Sequence, residues 1–213
     1  DQPGVGASRG APHGLLPSAT QDLELDWRRL GSVKRLARGE FLYQQGDSIE
    51  RFYMVEAGVL LLKRFTSDGR EQVLEMVGAS EPTDLAFAGV YDHSAEAAND
   101  VVVRVISLAE LQRSPDMMRF LLTAAQDRAR NDRDHIFMLG RLSAEQRLAR
   151  FLLHLVAKLA SPASGADSTA QASAVEAAKL RFIPSRQQVA DFTGLTLETV
   201  SRQLSQWRKD GLL

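Results

Sequence analysis

Between Gly39 and Ile106 the chain sets short runs of Phe, Tyr, Val, Leu and Ile between Gly-Asp, Asp-Gly and Pro-containing turns. That spacing predicts strands at Phe52 to Val55, Val59 to Phe65, Val73 to Val77 and Val101 to Ile106. Thr66-Ser67-Asp68-Gly69 reads as a hairpin turn in which glycine accepts a positive φ. Short antiparallel strands with no helix of ten residues between them predict a jelly-roll or barrel unit. Residues 1 to about 20, rich in Gly, Pro, Ala and Ser without periodicity, read as an arm with no core of its own.

After Pro115 the period becomes helical, with Asp116 in the first turn and no further Pro or Gly until Gly140, which predicts a helix of about 25 residues. Met117, Leu121, Ala124, Arg128, Asn131, His135, Met138 and Leu142 recur along it at spacings of four and three, with Phe120 beside them. Two readings fit this stripe. It is the seam of a homodimer whose polar middle fixes register, or it packs on the chain's own barrel. The dimer seam is the expectation carried forward. Ser143 to Ala160 reads as an amphipathic helix with Leu148, Phe151, Leu152, Leu155 and Leu159 on one face, and residues 161–178 read as a loop.

The stretch from Pro184 to Leu213 carries the chemistry. Ser185 and Gln188 form the pattern of a capping box, Val189, Ala190 and Phe192 supply a buried face, and Gly194 permits a turn. Thr196 is a natural N-cap for a second helix, which Leu197, Val200 and Leu204 hold against the first. This is the pattern of a helix-turn-helix. Glu198, Thr199, Ser201, Arg202 and Gln203 occupy the first turns of the second helix, where a recognition helix meets base edges. Arg202 suits guanine O6 and N7, Glu198 suits cytosine N4, and Leu197 suits a thymine methyl. Ser185, Arg186, Gln187, Thr196 and Ser201 are expected to position the domain on phosphates. A bland alternative for Glu198 and Arg202 is an i,i+4 ion pair.

Charge supports a polyanionic partner. The net charge of -1 conceals 16 basic and 21 acidic side chains in residues 1–140 against 10 and 6 in residues 141–213. With 213 residues, 44% apolar and 25% charged, the chain has the composition of an ordinary globular protein of two units. It contains no cysteine, which removes disulfides, Cys-bound zinc, iron-sulfur clusters and a thiol nucleophile. No apolar run approaches a membrane span, and a cytoplasmic location is expected. No Ser/His/Asp order, HExxH or phosphate loop points to an enzyme, so no catalytic residue, metal or cofactor is expected.

The glycine framework Gly39-Glu40, Gly46-Asp47 and Tyr53-Met54-Val55-Glu56-Ala57-Gly58, together with Glu198-Thr199-Val200-Ser201-Arg202, resembles the CRP/FNR family of transcription regulators. Within its FNR-like branch, SRQQVADFTGLTLETVSRQL is most similar to the FixK-type regulators of rhizobia. The resemblance implies an α+β fold: an arm (1–29), a cyclic-nucleotide-binding-type β-roll (30–114), a dimerisation helix (115–141) and a winged helix-turn-helix (142–213). It also implies a homodimeric activator on a two-fold symmetric double-stranded DNA site with TTG and CAA ends, in contact with RNA polymerase. Where nucleotide-binding members carry Gly-Glu and Arg-Ser or Arg-Thr, this chain has Pro82-Thr83-Asp84 and Asp92-His93-Ser94-Ala95. Glu81, Asp84 and Asp92 repel a phosphate, so no cyclic nucleotide is expected. The alternative is a β-roll that senses heme or another small ligand; the histidines, at positions 13, 93, 135 and 154, are widely spaced.

Overall fold

A computed structural model describes residues 27–212, except residues 70, 87 and 161–183 and the side chains of residues 157–160. Seven strands form two sheets: β1 (Ser32–Leu36), β2 (Phe41–Tyr43), β3 (Arg51–Ala57), β4 (Leu60–Phe65), β5 (Glu71–Val77), β6 (Ser94–Ala97) and β7 (Val101–Ser107). One sheet has the order β1-β7-β3 and the other β2-β6-β4-β5, with every named pairing antiparallel. The four strands expected from the sequence are present as β3, β4, β5 and β7. Three short strands, β1, β2 and β6, join them; their mixed composition gave no strand signal. The hairpin turn is as expected, the Gly69 amide donating to Thr66 O at 2.9 Å with φ +81°.

Strand alternation sorts side chains to two faces, and in this protein both faces are covered. Val55, Leu60, Leu62, Val77, Val101 and Val103 fill the space between the sheets with Leu36, Leu42, Tyr43 and Tyr91. On the outer face of the first sheet, Phe52, Met54 and Ile106 pack with Trp27, Leu111, Met117, Phe120 and Leu121. On the outer face of the second, Val59, Leu61, Val73 and Met76 share one cluster with side chains of the C-terminal helices. This explains the unbroken apolar run of β4, which is the signature of a strand buried on both sides.

Helix α1 (Leu108–Gln112) leads into α2 (Pro115–Arg141), whose N-cap is Ser114 with Pro at the first position. Helix α3 (Ala144–Ala160) follows, then α4 (Arg186–Thr193) and α5 (Leu197–Lys209). Of the apolar face expected on α3, Leu148 and Phe151 are buried, Leu152 and Leu155 pack against them, and the side chain of Leu159 lies outside the described residues.

Two expectations differ from the structure. The N-terminal arm ends earlier than residue 29, because Trp27 starts a short 3-10 turn and is buried beneath α2, with Arg28 stacked over its ring. The stripe on α2 expected to face a second chain is used within the protomer: Met117, Phe120, Leu121 and Ala124 are buried, and Met138 and Leu142 belong to the core shared with the C-terminal helices. Its polar members are engaged there too, for Arg128 donates to Pro82 O at 3.0 Å and pairs with Glu75 at 3.1 Å, and His135 meets Phe192 edge-on. Asn131 lines a cavity beside His135. The barrel reading wins because the outer face of β3 and β7 is apolar, and α2 covers it together with Trp27 and with Leu111 of α1. The loop expected at residues 161–178 lies outside the described residues, and among the described residues no strand of the expected wing follows α3.

Gly58 tests the roll. It stands at φ +88°, and an added Cβ would lie 2.4 Å from Asp100 O, whereas Gly69 at φ +81° has open space. Gly58→Ala should cost about 3 kcal/mol and Gly69→Ala about 1 kcal/mol, read from urea unfolding.

Candidate nucleic-acid interface

Local sequence builds the helix-turn-helix as expected. Ser185 Oγ accepts from the Gln188 amide at 3.1 Å while Gln188 Oε1 accepts from the Ser185 amide at 2.8 Å, completing the capping box of α4. Gly194 closes α4 in the left-handed region at φ +63°. Thr196 then caps α5, its Oγ1 accepting from the Thr199 amide at 3.2 Å. Val189, Ala190, Phe192 and Val200 are buried between the two helices and α3, with Leu204 packed against them.

Leu197 departs from its expected place in that core: it is 41% exposed. It is the first residue of α5, directly after the Thr196 cap. With Glu198 and Arg202, also exposed, it forms a continuous outward face over the first turns of α5. Among the described residues no ion pair joins Glu198 to Arg202, so both are open to a ligand and the bland alternative is not realised. Its own backbone amide and the Thr196 hydroxyl hold the Glu198 carboxyl below its ordinary range, keeping it an acceptor.

The residues expected on phosphates ring this face. Ser185, Arg186, Gln187 and Thr196 are exposed and Ser201 is partly buried, as is Thr199 in the first turn of α5. Arg186 Nη1 donates to Ser201 Oγ at 3.3 Å, linking α4 to α5, and Gln187 Nε2 donates to Asp191 Oδ1 at 2.7 Å. Thr196 and Thr199 hydroxyls lie 3.1 Å apart at the N-terminus of α5, where backbone amides and helix dipole favour an anion.

Sequence reading overlooked what fixes this head in place. Arg147 of α3 donates to Leu142 O (3.0 Å), Leu139 O (2.6 Å) and Thr193 O (3.4 Å), tying the end of α2 to the end of α4. Trp207 Nε1 donates to Glu145 Oε1 at 3.3 Å, tying α5 to α3. Gln72 of β5 donates to Asp191 O, tying α4 to the roll. Arg147 sits off the apolar stripe of its helix, and nothing in its spacing marks its carbonyl partners.

The interior of the roll is occupied by the chain itself. Tyr43 stacks on Tyr91 with centroids 3.6 Å apart, its hydroxyl lies 2.9 Å from His93 Nε2, and His93 Nδ1 lies 2.7 Å from Asp92 Oδ1. Burial raises both tyrosines, and the hydrogen bond to His93 holds the Asp92 carboxyl down. One arginine does reach this region from outside the loop: Arg128, matched by Glu75.

Residues 33–114 match the cyclic nucleotide-binding domain family, and residues 146–213 match the Crp-like helix-turn-helix domain. The chain is 32% identical over 209 residues to a probable transcriptional activator of Rhizobium leguminosarum bv. viciae, covering 95% of this chain and 82% of that one. It is 29% identical to the nitrogen fixation regulation protein FixK of Bradyrhizobium diazoefficiens, covering 88% and 76%. The solved structure of FixK2 from Bradyrhizobium japonicum superposes with a TM-score of 0.69 at 28% identity, covering 85% of this chain and 86% of that one. With its β-roll, long helix and exposed recognition helix, the chain belongs to the CRP/FNR family of DNA-binding transcription regulators.

Proposed function

We propose that the protein is a homodimeric activator that reads a two-fold symmetric site with TTG and CAA ends without a cyclic nucleotide or iron-sulfur effector. The observation that carries the DNA reading is the outward, unpaired Leu197, Glu198 and Arg202 face at the start of α5. Arg202 supplies the bidentate guanine contact and Glu198 and Leu197 select neighbouring bases, while Ser185, Arg186, Gln187, Thr196, Thr199 and Ser201 hold the backbone. The relatives above, a nitrogen fixation regulation protein and a probable transcriptional activator, support an activator with a FixK-like role; contact with RNA polymerase is part of this reading as the family resemblance implies it.

The second chain meets α2 along a stripe other than the one consumed by the roll. Met118, Leu122, Ala125, Ala129, Asp132 and Ile136 repeat at spacings of four and three, and Leu122 and Ile136 are 64% and 69% exposed. Apolar side chains left in water at heptad spacing are what a coiled-coil partner buries, and Asp132 gives the seam its polar position.

Four measurements check these statements. Arg202→Ala should lose about 1 to 3 kcal/mol of discrimination between the TTG site and a mutated half-site in a gel-shift titration. Arg186→Ala should instead weaken all sequences alike and reduce the salt slope by about one counterion per half-site. In light scattering, Leu122→Glu should yield a folded monomer with weakened DNA binding, whereas Leu121→Glu, buried at 3% exposure, should lower unfolding stability by several kcal/mol, about the cost of an unpaired buried charge. Calorimetric titration with cyclic AMP should give no saturable heat, because the Tyr43, Tyr91 and His93 cluster fills the roll and the Asp84 and Asp92 carboxylates beside His93 repel a phosphate; micromolar binding would overturn the effector-free reading.

A further inference from the structure

The last turn of α2 carries a charge that the chain itself does not use. Arg141, the final residue of the helix, is exposed, and among the described residues it takes part in no ion pair or hydrogen bond. An arginine in this position ordinarily folds back on the carbonyls that a helix C-terminus leaves unsatisfied. Here other groups satisfy them. The Leu142 amide donates to Met138 O at 3.1 Å, Arg147 Nη2 to Leu139 O at 2.6 Å and Arg147 Nε to Leu142 O at 3.0 Å. Arg141 is also outside the Met118, Leu122 and Ile136 stripe, because five residues beyond Ile136 place it about 140° around the helix from that stripe. Its guanidinium is left for a ligand outside the protomer.

Position selects that ligand. Arg147 joins Leu139 O to Thr193 O, and a Cβ added at Gly194 would stand 3.1 Å from Leu139 Cδ2. The end of α2 therefore abuts the turn that leads through Thr196 into the reading helix α5. With α2 paired across a two-fold axis, the two helix axes lie about 10 Å apart. Two reading helices engage half-sites about 34 Å apart, one turn of DNA. The ends of the α2 pair thus stand inside the span between the reading helices, and a duplex laid across both passes them. What the duplex presents there is the sugar-phosphate backbone of the spacer, an anion that an exposed, unpaired guanidinium binds by charge-assisted hydrogen bonds.

We infer that Arg141 is a positioning residue for DNA, gripping in each protomer a backbone phosphate of the spacer between the half-sites. The inference rests on the reading of the protein as a DNA-binding dimer whose seam is α2. Because Arg141 belongs to the long helix and not to the reading head, its grip registers the dimer axis on the centre of the site, a constraint that base contacts by Arg202 do not supply.

The test uses the full chain and a duplex with TTG and CAA ends. Arg141→Ala should weaken binding to this site and to scrambled DNA by the same factor. It should also reduce the slope of log affinity against log salt by about two per dimer, so that the fall in affinity between roughly 50 and 200 mM salt becomes about tenfold smaller. Arg141→Lys should restore the slope. A role confined to the helix end would alter unfolding stability and leave the slope as it is. Methylphosphonates, which remove the phosphate charge, locate the contact: in the spacer they should weaken the wild type and leave Arg141→Ala unaffected, whereas outside the two half-sites they should weaken both alike. An unchanged slope in Arg141→Ala, a lysine variant that behaves as the alanine variant, or equal sensitivity of wild type and Arg141→Ala to spacer methylphosphonates would each overturn the inference. Arg202→Ala and Arg186→Ala report separately on the DNA reading itself: if they lose discrimination and slope as expected while Arg141→Ala changes neither affinity nor slope, this inference falls and that reading stands.

Discussion

The burial of the outer faces of both sheets is the constraint on which the rest of the structure depends. A β-roll of this size closes on its inner face with Val55, Leu60, Leu62, Val101 and Val103, but Phe52, Met54 and Ile106 on one side and Leu61, Val73 and Met76 on the other are equally apolar. Left in water, each of these surfaces would cost about 25 cal/mol per Å² of apolar area. The N-terminal half of α2 covers the first and the C-terminal unit covers the second. The long helix is thereby held at both ends, by Met117 to Ala124 on the roll and by Met138 and Leu142 in the shared core.

Two exposed surfaces are what remains after that burial. On α2 the free side is the stripe through Met118, Leu122 and Ile136, which is why a dimer seam has to be sought there. On the C-terminal unit the free side is the start of α5. Phe192 and Val200 face inward and Arg147 fastens the ends of α2 and α4, so the turn at Gly194 is clamped and the Leu197, Glu198 and Arg202 face is held in a defined orientation. Preorganised side chains lose less freedom on contact with DNA than mobile ones, which favours discrimination between bases.

Charge burial ties the same elements together. Lys63, on the outer face of β4, is nearly buried and pairs with Glu96 at 2.8 Å and with Glu71 at 3.3 Å. Asp191 of α4, whose carboxyl burial raises, lies in the field of Lys63 and Glu71. The second sheet and the first helix of the reading unit thus form one electrostatic as well as one apolar contact. Inside the roll, the Tyr43, Tyr91 and His93 cluster fills space with the chain's own side chains, the Tyr43 hydroxyl donating to Thr83 O while Arg128 of α2 donates to the neighbouring Pro82 O.

Local chemistry was legible in the sequence wherever partners are near in the chain. The strands β3, β4, β5 and β7, the hairpin at Gly69, the 27-residue α2, the capping box of Ser185 and Gln188, the turn at Gly194 and the cap at Thr196 all depend on neighbours within a few residues. Heptad spacing on α2 was legible as well, but period alone shows that a face is apolar and not what covers it. Tertiary structure decided that Met117, Phe120 and Leu121 pack on the roll, because Phe52, Met54 and Ile106 stand more than ten residues away or on other strands and leave no mark on the helix's own pattern. It decided likewise that Leu197 faces outward, that Arg147 fastens three carbonyls and that Arg128 reaches Pro82, since each depends on where the ends of separate elements come to rest.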